Sequence, residues 1–266
     1  METKTYKVHY RSRKDEFRLY PIGDIHAGTL HCAEDLIKKQ VKEIKENPHA
    51  IWIGMGDYAD LITPKDPRWD VEVISPWVER SNVAESQRVW LVKLLQPIAN
   101  KCVGLLAGNH EESIRRYNYQ DIHLDLCRDL NVSYLGYTAF VRFQFIRIRN
   151  SVTTFIGAFQ HGSGGAQTEG GKIMRLKKLM DSFNADICCM GHLHDIKTNV
   201  IPIMGIDESN TIEQKVKVGA ITGSWMRAYT QGIRPSYAEI KGYTPSTLGC
   251  PHFVIIPDKN ILQVIR

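Results

Sequence analysis

The sequence contains no long hydrophobic run and no paired-cysteine motif. None of its apolar stretches approaches the roughly 18 residues that cross a bilayer, and residues 1–16 lack the apolar core of a signal peptide. We therefore expect a cytoplasmic protein without a membrane partner. Its six cysteines never occur as C-x-x-C, which favours buried free thiols over disulfides or a cysteine zinc site.

The excess of positive over negative charge is also small. The 34 Lys and Arg against 29 Asp and Glu leave +5, without the clustered basic stripe typical of nucleic-acid-binding proteins. A charged share of 24% and a hydrophobic share of 43% exclude the disordered and fibrous classes. With no internal repeat or low-complexity linker, the chain is expected to form a single domain over 1–266. An insertion at 61–82, rich in Pro and Trp, is expected near the mouth of a site.

Short apolar segments alternate with helical patterns in the first half of the chain. Apolar runs at 16–23, 50–56 and 101–108 predict buried strands. Between them, 33–47 and 83–99 have helical patterns; in 33–47 the apolar residues recur every three or four positions. This order is typical of parallel βαβ units.

The second half of the chain changes to alternating patterns, beginning with an antiparallel pair predicted at 139–148 and 152–159. We expect an α/β domain with two sheets packed between helices. The remaining predicted elements are helices at 120–130 and 172–183, strands at 186–190, 196–204 and 214–221, and a hairpin at 252–266.

Side chains of metal-ligand type follow the apolar runs. Because strand ends in α/β folds are where ligands bind, we expect these turns to converge on one pocket. Mixed carboxylate and imidazole groups suit Mn²⁺, Fe²⁺, Zn²⁺ or Ni²⁺ better than Ca²⁺. The turns are GDIH with Asp24 and His26, GDYAD with Asp57 and Asp60, GNHE with Asn109 and His110, QHG with His161, and GHLH with His192 and His194.

In chain order these turns resemble the signature D-x-H, G-D-x-x-D, G-N-H-E/D, H, G-H-x-H of the calcineurin-like metallophosphoesterase superfamily. The resemblance covers about two thirds of the chain. It implies a four-layer αββα sandwich of two mixed β-sheets flanked by helices, with the metal site at the C-terminal ends of the strands. The implied ligands are Asp24, His26, Asp57 and His194 for one metal and Asp57, Asn109, His161 and His192 for the other.

The activity implied by this resemblance is two-metal phosphoester hydrolysis, in which a hydroxide bridging the ions attacks phosphorus in line. We expect two divalent ions, with Mn²⁺ favoured and Fe, Zn or Ni as alternatives. His110 is implied to act on the leaving oxygen or the transition state. Asp60 is implied to hydrogen-bond His110 and fix its orientation.

The choice of substrate depends on the surrounding loops. Leu61 follows Asp60 where the protein Ser/Thr phosphatases have arginine, which disfavours that branch. Arg115 and Arg116 are candidates to bind a phosphate oxygen or a neighbouring nucleotide phosphate, or else form a solvated pair on a helix. The glycine-rich segment 162–171 is either a phosphate-binding loop or a flexible loop near the metals.

Three functions remain open on the sequence alone. The first is a phosphatase or phosphodiesterase acting on a small or nucleotide-like phosphoester. The second is a DNA or RNA nuclease resembling the Mre11/SbcD branch, suggested by the net charge and by Arg115 and Arg116. The third is a non-catalytic protein-binding scaffold, which the complete set of motif residues disfavours. The oligomeric state and the role of 199–266 are open.

Overall fold

The computed structural model describes residues 1–64, 66–148, 151–206 and 209–266. In chain order, the strands are β1 (Glu2–His9), β2 (Phe17–Ile22), β3 (Ala50–Gly54), β4 (Cys102–Leu105), β5 (Thr138–Ile148), β6 (Ser151–Gln160), β7 (Ile187–Met190), β8 (Lys197–Ile206), β9 (Ile212–Ile221), β10 (His252–Ile256) and β11 (Ile261–Ile265). The helices are α1 (Glu34–Glu46), α2 (Val83–Leu95), α3 (Asn109–Asn118), α4 (Ile122–Leu130), α5 (Glu169–Ser182) and α6 (Tyr237–Ile240).

The strands form two mixed sheets. The first sheet has the order β11-β10-β2-β3-β4, in which β2, β3 and β4 are parallel and the C-terminal hairpin is antiparallel. The second sheet has the order β1-β5-β6-β7-β9-β8, with β6, β7 and β9 parallel. In both sheets, parallel strands end at a common edge, which is where ligands bind in such folds.

The sheets pack face to face with helices outside. Successive strand residues point to opposite faces, so Leu19 joins the core between the sheets while Tyr20 packs toward the helices. The apolar residues of α1, α2 and α4 cover the first sheet, and those of α5 cover the second. The predicted four-layer α/β sandwich with two mixed sheets is thereby confirmed.

Several boundaries differ from the sequence prediction. Strand β1 was not predicted, because its side chains are only partly buried and it lies at the edge of its sheet, paired with β5. Helix α3 was not predicted either, since it has few apolar residues and begins at the motif residue Asn109. The helix predicted at 83–99 ends at Leu95 and continues as a 3₁₀ helix that contains Pro97, which cannot donate a backbone hydrogen bond.

The cysteines are free thiols, as predicted, and four of the six are buried. In the part of the chain that the structure describes, no helix is both long enough and apolar enough to cross a bilayer.

Candidate metal centre

The predicted ligands lie at the C-terminal edge shared by the two sheets. The first sheet contributes the turns after β2 and β3 and the start of α3 after β4, and the second contributes the turns after β6 and β7. The residues that these turns bring together are Asp24, His26, Asp57, Asn109, His110, His161, His192 and His194.

The backbone of these turns is unusual. Asp24, His26, Asp57, His192 and His194 all have φ between 49° and 70°, a left-handed conformation that non-glycine residues rarely adopt. Each such residue costs on the order of 1–3 kcal/mol and persists only where the surrounding structure enforces it. The enforcing contacts include backbone hydrogen bonds from Asp24 to Gly56 (2.9 Å) and from His26 to Asp57 (3.1 Å). Strain of this kind concentrates at functional sites.

One group of candidate ligand atoms comes from Asp24, His26 and His194. The Nε2 atoms of His26 and His194 are 3.1 Å apart, and His194 Nε2 is 3.3 Å from Asp24 Oδ1. Three potential donor atoms thus converge within 4.8 Å. Two imidazole nitrogens and a carboxylate oxygen are a donor set that suits a divalent transition metal.

A second group comes from Asp57, His161 and His192, and a third, which shares His26 with the first, comes from His26, Asp60 and His110. His161 Nε2 is 3.3 Å from Asp57 Oδ2 and 3.1 Å from Asn109 Oδ1. The Nδ1 atom of His161 is 2.7 Å from the Met55 carbonyl; because a carbonyl can only accept, Nδ1 donates and Nε2 is left for a ligand. This fixed tautomer is the arrangement found in metal-binding histidines.

Burial and neighbouring charges shift the pKa values of these groups. Although burial opposes its charge, His194 holds the pKa of Asp24 below its ordinary value, and His161 together with His110 holds that of Asp57 well below. Burial also opposes charge on His161, but Asp57 raises its pKa to about 10, so a divalent ion would have to displace the proton from Nε2 on binding. The two carboxylates are therefore anionic at neutral pH, as metal ligands must be.

His110 lies beside the ligands. Its backbone N–H donates to Asp57 Oδ1 at 2.9 Å, and its Nδ1 donates to the backbone carbonyl of Asp60. The Asp60 carboxylate lies instead 3.5 Å from His26 Nδ1. The expected contact between Asp60 and His110 is thus made by the main chain, because the Asp60 side chain lies toward His26.

Sequence reasoning missed Glu111, the last residue of GNHE. Its carboxylate is almost fully buried and accepts hydrogen bonds from the backbone N–H groups of Gly108 (2.8 Å), Asp57 (2.9 Å) and Tyr58 (2.8 Å). Burial and the nearby Asp57 raise the pKa of Glu111. The residue fastens the turn after β3 to the start of α3. Its position in the GNHE motif was the sequence signal that could have identified Glu111.

The expectation that Arg115 and Arg116 bind phosphate is not met by the structure. Both side chains are more than half exposed, each pairs with Glu112 at 2.7 Å, and neither lines the cavity beside the candidate ligands. The reason is helical spacing, since residues three and four positions apart lie on the same surface of α3. Their contacts are those of the alternative, a solvated pair on a helix.

A cavity of about 1000 Å³ opens beside the candidate ligands. Residues of the predicted insertion at 61–82 form part of its wall, including Arg68 and Trp69. The glycine-rich segment contributes 164–167, and the C-terminal region contributes residues between 226 and 246. Sequence reasoning placed the insertion near the site but did not identify Arg68.

Comparison with known proteins agrees with this site. The family model of the calcineurin-like phosphoesterases matches residues 17–195, a span that contains every predicted ligand. No curated protein matches the chain. A similar solved structure is that of a conserved uncharacterized protein from Streptococcus pneumoniae, described as a predicted phosphoesterase. Identity is 12%, coverage is 90% of this chain and 82% of that chain, and the TM-score is 0.34. A likeness at that TM-score carries no argument about fold or function.

The family match extends over two thirds of the sequence and all five ligand turns, and the chain therefore belongs to the calcineurin-like phosphoesterase family of metal-dependent phosphoester hydrolases.

Proposed function

We propose that this chain hydrolyses small or nucleotide-sized phosphoesters with the help of two divalent ions, Mn²⁺ being the favoured metal. One observation carries the proposal: two groups of carboxylate and imidazole atoms converge at one sheet edge. Four of the six residues are buried, and five of the six have a left-handed backbone conformation. Structural turns have no need of such a donor set.

The two groups account for the binding of two ions. Asp24, His26 and His194 would hold one ion, and Asp57, His161 and His192 with Asn109 would hold the other. When bound, the pair of ions supplies Lewis-acid chemistry: it lowers the pKa of water and neutralises charge on the phosphoryl oxygens.

His110 is the proposed catalytic residue of the chain. Since its Nδ1 donates to the Asp60 carbonyl, the orientation of the imidazole is fixed and Nε2 is the nitrogen available to a substrate. At Nε2 the ring can donate a proton to the leaving oxygen or a hydrogen bond to a phosphoryl oxygen.

The size of the cavity supports a substrate with an organic part. About 1000 Å³ is at the upper end of the range for ligand pockets and far exceeds what a phosphate group occupies. Trp69, Tyr237 and Tyr243 lie in the wall and offer flat apolar surfaces to such a group. Both monoesters and diesters with a leaving group of nucleotide size fit this description.

The structure does not strengthen the alternative of a nuclease of the Mre11/SbcD branch. That alternative was based on the net charge of +5 and on Arg115 and Arg116, and the charges of the two arginines are paired with Glu112 away from the cavity. Nor does any observation favour the scaffold alternative, since the candidate ligands and His110 are all gathered at the site.

The proposal is tested by stripping the protein with a chelator, restoring Mn²⁺ and measuring turnover of p-nitrophenyl phosphate and bis-p-nitrophenyl phosphate. We expect turnover of at least one of the two, lost in His110→Ala. Faster diester hydrolysis identifies a phosphodiesterase, and faster monoester hydrolysis identifies a phosphatase. A metal-loaded protein inactive on both contradicts the proposal and favours the scaffold.

A further inference from the structure

We propose that Arg68 binds the non-bridging oxygens of the substrate's phosphoryl group, and that Asp66 is the positioning residue that holds its guanidinium. This inference rests on the proposed function and assigns the phosphate-binding cation that Arg115 and Arg116 do not supply. Four observations support it. They are the geometry of the ion pair with Asp66, the distance from Arg68 to His110, the negative charges around Arg68, and the ion pair that already occupies Lys172 in the cavity wall.

Asp66 forms a bidentate ion pair with one side of the Arg68 guanidinium. Nε donates to Oδ1 at 3.0 Å and Nη2 donates to Oδ2 at 2.8 Å, while the Arg68 backbone N–H donates to the same Oδ1 at 2.8 Å. A guanidinium carries five N–H groups in a rigid plane, and this side-on pair uses two of them. The two N–H groups at the far end of the plane form a second fork, with the spacing that bidentate recognition of phosphate requires.

The side of the guanidinium that Asp66 does not hold is in contact with the candidate catalytic residue. Arg68 Nη1 is 3.5 Å from His110 Nε2, the nitrogen that is left available by the contact with the Asp60 carbonyl. A phosphoryl oxygen placed within reach of His110 Nε2 is therefore also within reach of Arg68. The shared reach places Arg68 at the reacting group and not at a distant part of the substrate.

Negative charges hold Arg68 in the wall of the cavity. With Asp66 as the largest contributor, Asp60 and Asp57 also act on Arg68, and together they raise its pKa, so the guanidinium is charged at any accessible pH. The side chain is 39% exposed, which leaves it open to a ligand while Asp66 is largely covered. The arrangement is a preoriented cation at the opening of an otherwise acidic site.

The other long cationic side chain in the wall is already engaged. Among the described residues that line the cavity, Arg68 and Lys172 are the arginine and lysine side chains. Lys172 is buried and donates to Asp195 at 3.0 Å, so its charge is compensated within the protein. Arg68 is consequently the cation with hydrogen-bonding capacity to spare.

The test combines phosphate binding with kinetics on Mn²⁺-loaded protein. The affinity for inorganic phosphate is measured by titration calorimetry and as the inhibition constant, and KM and kcat are measured with the better of the two nitrophenyl substrates. The variants are Arg68→Ala, Arg68→Lys and Asp66→Asn. Arg18→Ala is the matched control, because Arg18 pairs through Nε and Nη2 with Glu16, has a side chain 41% exposed and lies outside the cavity.

We expect Arg68→Ala to weaken phosphate binding by about tenfold to one hundredfold, the range for lost charge-assisted hydrogen bonds, and to raise KM in parallel. Arg68→Lys keeps the charge without the fork and recovers part of the loss. Asp66→Asn has a smaller effect in the same direction, and Arg18→Ala has none.

Phosphate affinity within twofold of the wild type in Arg68→Ala overturns the inference, as does a wild-type protein that binds no phosphate. Because binding and turnover are separate readouts, the two proposals can fail independently. Phosphate binding that requires Arg68 in a protein without turnover supports the inference and refutes the hydrolase. Full turnover with unchanged phosphate affinity in Arg68→Ala does the reverse.

Discussion

The two sides of the cavity are built on different principles. One side, which we call the ligand wall, lies at strand ends and at the start of α3. It consists of six residues that line the cavity and two fully buried ones, Asp24 and His161; the lining residues are His26, Asp57, Asn109, His110, His192 and His194. The other side, which we call the outer wall, consists of the lining residues between 226 and 246 together with Ile62, Pro67, Arg68, Trp69, Asp70 and Val73. The ligand wall is fixed by backbone hydrogen bonds and buried carboxylates. The outer wall includes Tyr237 and Ile240, which are 51% and 70% exposed.

This difference separates the chemistry from the choice of substrate. Ligand atoms must be held to within a fraction of an ångström, and only the ends of packed strands give that precision. Recognition of an organic group tolerates looser contacts, which loops on a rigid scaffold provide. Substitutions in the ligand wall are therefore expected to remove activity on every substrate. Those in the outer wall are expected to change activity selectively, except at Arg68, which is assigned to the phosphoryl group that all substrates share.

The largest effect is expected from Asp57→Asn. The change replaces a buried anionic carboxylate with a neutral amide beside His161, so we expect metal content to fall and kcat to drop by about a thousandfold or more on all substrates. Metal content by mass spectrometry and steady-state turnover check it. Asp35→Asn on the exposed surface of α1 serves as the control.

The next largest effect is expected from His110→Gln. We expect kcat to fall by about 10²–10⁴-fold while both ions remain bound, because His110 contributes proton transfer and lies outside the two groups assigned to the ions, although its side chain also converges with those of His26 and Asp60. The comparison of kcat with metal content separates this variant from Asp57→Asn. A parallel loss of metal would make His110 a ligand and contradict its assigned role.

A third effect concerns how the ligand wall is held together. Glu111→Gln replaces one acceptor oxygen with an NH₂ group, so that at least one of the three backbone donors loses its acceptor in a buried site. We expect the free energy of unfolding to fall by about 2–3 kcal/mol. Urea denaturation measures it. Its neighbour Glu112→Gln loses only surface pairs and is expected to cost less than about 1 kcal/mol. Equal losses in the two variants would remove Glu111 from the account.

A smaller and selective effect is expected in the outer wall from Trp69→Ala. We expect KM to rise about threefold to tenfold for substrates with a large aromatic leaving group, with kcat little changed, because a stacking surface is lost while the ligand wall is intact. Paired KM values for an alkyl and an aryl phosphoester check it. A uniform fall in kcat would show that the two walls are not separable.

The smallest effect is expected from the double variant Arg115→Ala, Arg116→Ala. Both residues pair with Glu112 outside the cavity, so KM and kcat are expected to stay within about twofold of the wild type. Kinetics at low salt give the most sensitive reading. A large rise in KM there, especially with oligonucleotide substrates, would restore the nuclease alternative.

The sequence predicted the ligand wall far better than the outer wall. Buried strands such as 50–56 and the turns that follow them have strong local signals, and parallel strand ends converge by topology alone. The Asp60 carboxylate faces His26 and not His110, and no local sequence pattern encodes which of these neighbours it faces. Arg68 lies in an irregular segment, where the position of a side chain is set by tertiary contacts such as that to Asp66.

Helices and strands were likewise predicted only where the sequence has a clear apolar face. Helix α1 was predicted within one residue at each end because Ile37, Val41 and Ile44 form a clear apolar face. Strand β1 was missed because its side chains are largely exposed and it depends on pairing with β5. Helix α3 was missed because it has few apolar residues.

The most direct test of the central claim is anomalous diffraction from crystals grown with Mn²⁺. We predict two peaks about 3.5–4 Å apart at the shared sheet edge. One should lie among Asp24, His26 and His194, and the other among Asp57, His161 and His192. A single peak, or peaks elsewhere on the molecule, would contradict the account of a two-metal phosphoesterase.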